Sequence, residues 1–281
     1  MKKFNINAFM PLIKVWGQYK SPWVPEGEEL KIFEKFLRKA LKQHRDKRVL
    51  ILGSTPQLRD LAHKLGAEVT VVDVSLEMMI GLSYLMKYKK LANQEIWVRQ
   101  NWLQAPLEKG YWSIVLGDWV ICNISKKLQS TFSAKISSLL TSKGCFITKA
   151  YFVWDKKVTA DEVIQRFLSK NNPSFRNYQD YFTELFYTQA NPKTWNHSVN
   201  DLRSVLRRFA KKSSSLKIKA KISKHLKMLD YLLGSGDFVW ACPTEKAGEK
   251  VFTKNFIIKN KQYSREHPFG KYNPIYLFQK K

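Results

Sequence analysis

Cysteine is scarce in this chain of 281 residues, and the three present, Cys122, Cys145 and Cys242, lie too far apart for a zinc-ligand pattern. Each sits in an apolar strand-like or helix-flanking context, so a disulfide scaffold is excluded and small buried hydrophobes in a reducing compartment are expected. Long apolar runs are missing too. No segment approaches the roughly eighteen residues that would span a bilayer. The basic start, MKKFNINAFMPLIKVWG, is broken by Asn5, Asn7 and Pro11, so no leader is expected and the chain reads as soluble and cytoplasmic. Acids are few: 23 Asp and Glu stand against 49 Lys and Arg, a net charge of +26 that favours polyanions or anionic substrates. The excess is spread over both halves, as a merely Lys-rich composition would also give.

What is present begins with 44% hydrophobic residues, enough for a large domain or a core with a smaller addition. The chain is organised around RVLILGSTPQLRDLAHKLGAEVTVVD, residues 48–73. Val49 to Leu52 read as a strand buried on both faces. Gly53 permits a sharp turn, Ser54 or Thr55 is placed to cap a helix, and Pro56 suits its first turn. Leu58, Leu61, Ala62 and Leu65 recur at helical spacing, and Gly66 falls where a left-handed terminal residue is wanted. A second strand, 68–73, ends in Asp73. This is a nucleotide-binding βαβ unit in which Asp73 is placed to accept hydrogen bonds from a ribose diol.

Around it, residues 1–25 form an aromatic arm (Phe4, Phe9, Trp16, Tyr19, Trp23) that either packs on the core or serves as a lid, and 26–43 form an amphipathic helix with acids in its first turn. Beyond Asp73, a helix carrying Met78 and Met79 follows Ser75, and further strands are expected at 95–99, 112–118 and 144–150, with a helix at 126–140. Strand and helix alternate five times, which predicts a doubly wound, mostly parallel α/β sheet with its ligand at the carboxyl ends of the strands. The core is placed at 26–155. A helical, basic insertion is placed at 156–236, opened by the capping box at Thr159 to Glu162. Its segment 216–233 contains the alternating LKIKAKI, yet Ile218, Ile222, Leu226, Leu229 and Leu233 keep a helical stripe, so helix is chosen. Strands at 237–242, 251–258 and 275–278, within 237–281, are expected to complete the sheet.

A dinucleotide site wants three glycines, and only Gly53 is here, while Pro56 removes an amide that a pyrophosphate would use. S-adenosylmethionine carries no phosphate and tolerates that loss. At LILGSTP, VVD, QNW and the strand ending in Gly117 and Asp118, the chain resembles the class I S-adenosylmethionine-dependent methyltransferases, over about residues 26–150. The LG, any residue, T, P order after a Trp- and Pro-rich arm is similar to a poorly characterised subset of them, although the family's usual second glycine is missing. The resemblance implies a seven-stranded Rossmann-like sheet and S-adenosylmethionine as cofactor. It implies that Gly53 and Ser54 line the methionine end, Asp73 holds the ribose and Val74 flanks the adenine, with Thr55, Pro56, Ser75 and Met78 also in the cofactor site. Asn101 and Trp102 would reach the adenine edge, and Gly117 and Asp118 would stand beside the sulfonium or substrate.

Methyl transfer asks for in-line alignment and exclusion of water rather than many catalytic side chains. Asp118 is the candidate base, with His197 and His267 as alternatives, and Trp16, Tyr19, Trp23 and His267 are the candidate lid or substrate contacts. No Pro-Pro-aromatic turn follows Asp118 and no cysteine pair suits attack on a pyrimidine ring. A small-molecule acceptor is therefore the first expectation. RNA is the rival, through Arg203, Arg207, Arg208, Lys211 and Lys212, and a methyltransferase fold that binds without turnover is a third reading.

Overall fold

A computed structural model of the chain describes residues 10–153, 158–191 and 193–281. Phe4 and Phe9 of the expected arm, and the expected core boundary at 155 and 156, lie outside the described residues. In chain order the elements are α1 (Met10–Val15), α2 (Gly27–Leu41), β1 (Arg48–Leu52), α3 (Pro56–Lys64), β2 (Glu68–Asp73), α4 (Leu76–Ser83), β3 (Ile96–Arg99), β4 (Trp112–Asp118), α5 (Gln129–Leu139) and β5 (Leu140–Lys149). There follow α6 (Ala160–Leu168), α7 (Phe175–Gln189), β6 (Asn196–Ser198), α8 (Val199–Lys212), α9 (Leu216–Leu233), β7 (Val239–Ala241), α10 (Glu245–Phe252), β8 (Phe256–Gln262) and β9 (Ile275–Lys280). Two units divide them: Lys20–Phe152 with Pro243–Lys281, and residues up to Tyr19 with Val153–Cys242.

The first unit is built on the expected seven-stranded sheet, in the order β3-β2-β1-β4-β5-β9-β8. β1 to β5 run parallel, and β9 is antiparallel to both of its neighbours. The pleat sends Val49 and Ile51 to one face, where α2 and α3 supply Phe33, Phe36, Leu37, Leu58 and Ala62. Leu50 and Leu52 go to the other, against Phe132 and Ile136 of α5 and Phe252 of α10. Both faces are thus covered, which is why these strands read as unbroken apolar runs.

Two expectations about this unit need correction. Residues 251–258 are not one strand: Thr244 caps α10 by accepting from the Ala247 amide at 3.3 Å, and the strand starts only at Phe256. The helix wins because Gly248 lets it close on Phe152, where a Cβ would come within 2.5 Å of the ring, and Phe252 then packs on Phe146, Phe256 and Phe278. The segment 237–242 does not complete the large sheet. Its strand β7 pairs antiparallel with β6 in a separate two-stranded ribbon, in the second unit.

That second unit is otherwise helical. Thr159, Ser174 and Ser198 open α6, α7 and α8 with reciprocal capping boxes, and α9 is one continuous helix through LKIKAKI. Ile222, Leu229 and Leu233 of the stripe that decided for helix are buried along it, with Ile218 and Leu226 half-buried.

Candidate active site

β1 and β4 lie side by side, with Leu52 opposite Gly117, while the chain proceeds from β1 toward β2 on one side and from β4 toward β5 on the other. The carboxyl ends of these two strands therefore border the switch point where open α/β sheets form a crevice. Gly53 stands at the end of β1 with φ +86, a region that disfavours any side chain. A Cβ there would make only ordinary contact with the Trp102 ring, at 3.7 Å, so the backbone angle and not crowding is what asks for glycine. Trp102 is anchored by its Nε1, which donates to the Val72 carbonyl at 2.8 Å, and the Gly53 amide donates to the same oxygen at 2.9 Å. α3 begins at Pro56 without a side-chain cap from Ser54 or Thr55, contrary to expectation.

The Ser54 hydroxyl is directed elsewhere. It donates to Asp73 Oδ2 at 2.7 Å, and the Ser75 amide donates to Oδ1 at 3.0 Å. Burial pushes the Asp73 carboxyl above its ordinary range, against the hydrogen bonds from Ser75, Ser54 and Val74. The residue is half-buried, so a diol that reaches it competes with these internal hydrogen bonds for the carboxylate oxygens. Ser75 caps α4 by accepting from the Met78 amide at 3.1 Å, which sets the helix start directly after the carboxylate. Val74 is half-buried and Met78 is buried. Asn101 is exposed, with its Oδ1 accepting from the Leu103 amide at 2.9 Å, so its acceptor oxygen serves a turn.

At the ends of β4 and β5 the structure assembles a buried ionic cluster. Lys149 Nζ donates to Glu29 Oε2 at 2.8 Å and to the Pro22 carbonyl at 2.7 Å, and stands 3.3 Å from Asp118 Oδ1. The Ser21 hydroxyl donates to the same Oε2 at 3.0 Å, and on its other oxygen Glu29 meets His267 Nε2 at 3.0 Å. Lys149 and Glu29 have no side-chain exposure and Asp118 has 6%. The two carboxylates behave differently. Burial would raise Glu29, but Lys149 and His267 overcome it and hold the group below the ordinary range. Asp118 is pushed up to about 7 by burial, which, with the nearby Glu29 charge, outweighs the lowering by the Lys149 ammonium and its hydrogen bond. Lys149 itself is raised, since Asp118 and Glu29 outweigh the burial that would lower it.

Backbone geometry aims the cluster. Gly117 leaves room for Val120, whose Cγ1 would lie 2.6 Å from a Cβ, and Trp119 adopts φ +52 directly after Asp118. An indole in the left-handed region is costly and is held by its surroundings: Nε1 donates to Asn273 Oδ1 at 2.8 Å and the ring stacks on Tyr151 at 4.7 Å. The chain turns there instead of extending the strand, which leaves Asp118 at the sheet's end.

Other expected site residues have other places. His267 is bound to Glu29 inside the cluster, not presented as a lid. Tyr19 is 5% exposed, donates to the Leu232 carbonyl and lies against Phe175 and Trp16 in the helical unit, so it is packed. Trp16 and Trp23 are half-buried, the latter following the cis Ser21–Pro22 bond. His197 is buried near the Cys242 sulfur, at 3.9 Å, with its pKa pushed down to about 4 by burial. Arg203 is corrected as an RNA contact: it is 6% exposed, and its guanidinium donates to Asp230, Asn200 and the Gly234 and Gly236 carbonyls. Lys212 pairs with Asp161, while Arg207, Arg208 and Lys211 remain exposed. Glu29 and Lys149 were missed. Their signal was available, as one acid on the apolar stripe of α2 and one lysine inside the apolar run of β5.

Among the described residues no three His, Cys, Asp or Glu side chains stand together as a metal-binding group. No protein-family profile matches the chain, and no curated protein matches it in sequence. Solved structures do. A Rhodobacter sphaeroides protein provisionally assigned as a Zn-dependent alcohol dehydrogenase aligns at TM-score 0.60 and 14% identity over 98% of either chain. An S-adenosylmethionine-dependent methyltransferase from Methanosarcina mazei aligns at 0.51 and 13%, covering 84% of this chain and 93% of that one. The Burkholderia thailandensis 1,6-didemethyltoxoflavin-N1-methyltransferase, solved with that compound and S-adenosylhomocysteine, aligns at 0.50 and 11%, covering 95% and 84%. At such identities the likeness is one of architecture, and with the strand order and the antiparallel β9 it leads to one statement: the chain has the fold of the class I S-adenosylmethionine-dependent methyltransferases.

Proposed function

We propose that the chain binds S-adenosylmethionine at the β1/β4 switch point and transfers its methyl group to a small-molecule nucleophile bearing an N–H or O–H. The observation that carries the reading is the pairing of Gly53, left-handed at the end of β1, with the half-buried Asp73 at the end of the neighbouring β2. These residues fit a nucleoside without phosphates: one carboxylate for a diol, apolar neighbours in Val74 and Met78, and a first helical turn that lacks the Pro56 amide. When bound, the cofactor supplies a methyl on a sulfonium, already a good leaving group. The chain's part is to align the acceptor, exclude water and take up the proton. Asp118 suits that last task, since a carboxyl titrating near neutrality both ionises readily and holds a proton once it has taken one. Glu29 and Lys149 position it. The Methanosarcina mazei and Burkholderia thailandensis methyltransferases support the chemistry, and the small heterocycle bound in the latter supports the size of acceptor.

Calorimetry with S-adenosylmethionine and S-adenosylhomocysteine tests the site. Both should bind the native chain, and Asp73→Ala should weaken each by about 1.5–3 kcal/mol, the loss of ligand hydrogen bonds to a charged group. A thermal melt of the same variant separates loss of the site from loss of the fold. Unchanged affinity in a folded Asp73→Ala would remove Asp73 from the site, and no binding by the native chain would end the reading.

A further inference from the structure

The outer face of α2 carries a feature the nucleoside site does not use. Lys31, Lys35, Lys39 and Lys42 are exposed along one strip of the helix, while Ile32, Phe33, Phe36, Leu37 and Ala40 are buried on the other. From Lys31 to Lys42 the strip is about 16 Å long at the α-helical rise. With Glu34 and Arg38 these lysines line an open groove of about 710 Å³. Glu34, the one acid in it, is already engaged: it accepts from Arg38 Nε at 2.9 Å and from Lys64 Nζ at 2.9 and 3.0 Å. Among the described residues none of the four lysines has an ion-pair partner.

We infer that this strip is a docking surface for a nucleic-acid duplex, gripped through its phosphates alone. The argument is charge complementarity with a shape constraint. Unpaired cations in a row neutralise regularly spaced phosphates and release counterions, which is a large part of nonspecific duplex affinity. The groove offers no aromatic ring, so it lacks the stacking platform that single strands use. A duplex keeps its bases turned inward and needs none. The surface holds the duplex as a tether and not as methyl acceptor, because Asp118 lies at the strand ends with 6% of its side chain exposed. The inference therefore stands apart from the chemistry proposed above.

The test is fluorescence anisotropy of the full chain with random-sequence DNA and RNA duplexes of about 20 base pairs, from about 50 to 200 mM salt. Four phosphate contacts predict a slope of log K against log salt of about −3.6, and the two duplexes should agree within about threefold because only phosphates are touched. The triple variant K35Q/K39Q/K42Q should flatten the slope by about 2.7 and weaken binding roughly 100-fold. A control triple on exposed lysines away from the strip, K109Q/K127Q/K254Q, removes the same charge and should change affinity less than about threefold. Gln and Lys have similar helix propensity, so the α2 variant should melt with the native chain. Equal losses in the two triples would assign binding to net charge and overturn the inference. Binding of one duplex type only, preference for a single strand, or retention by anionic vesicles without duplex binding would overturn it as well.

Discussion

Lys149→Met should lower the unfolding free energy by about 3–5 kcal/mol, the cost of removing one partner from a buried ion pair. Methionine nearly matches the stem in length, so the loss is electrostatic and not a cavity. Without the ammonium, Glu29 keeps His267 and Ser21, but Asp118 loses its one cation at 3.3 Å, and two carboxylates remain near one another with no exposure to spare. Urea denaturation of four proteins measures this: native, Lys149→Met, Glu29→Gln and the double variant. The double variant should recover more than half of the single loss, since it removes the charge that Lys149 was satisfying. The deficit of Lys149→Met should also be smaller at pH 5 than at pH 8, because a protonated Asp118 needs no counter-charge. A loss below about 1 kcal/mol at pH 8 would mean that the cluster is solvated and that Lys149 holds nothing in place.

The sheet was legible because its strands are buried on both faces: an apolar run such as Val49 to Leu52, closed by Gly53, has few other solutions. The place of Asp73 at the end of β2 was legible for the same reason, as the first acid after such a run. The cluster was not, because its members are far apart in sequence and each has a plausible local role. Glu29 in the first turn of α2 satisfies the helix dipole, and that reading conceals that it lies three and four residues before Ile32 and Phe33, on the core stripe. Arg203 shows the same error with the opposite charge. It belongs to a basic run, yet it falls four residues after Val199 and three before Leu206, both buried, and periodicity carries it inward to Asp230. Trp119 was beyond sequence reading altogether. Its left-handed backbone depends on Asn273, 154 residues away.

Asp118→Asn should stabilise the protein at pH 8 and do little at pH 4. The folded state raises this carboxyl from 3.8 to about 7, so it holds the proton more tightly than the unfolded chain does. Its contribution is therefore fully present below the unfolded value and is lost as pH rises through about 7, where the group must ionise inside the protein. Three pH units correspond to about 4 kcal/mol as an upper bound, which asparagine, having nothing to ionise, does not lose. Melting curves from pH 4 to 8 should show the variant and the native chain diverging by several degrees toward high pH. A constant difference would return Asp118 to the ordinary carboxylate range. The same substitution bears on the chemistry, because an amide cannot take the acceptor's proton. If the variant is more stable at pH 8 and still binds S-adenosylhomocysteine, but no longer methylates an acceptor that the native chain methylates, then the burial that costs stability at pH 8 is what keeps a base poised at neutrality. A stabilised variant that methylates as before would leave the cluster a matter of folding alone.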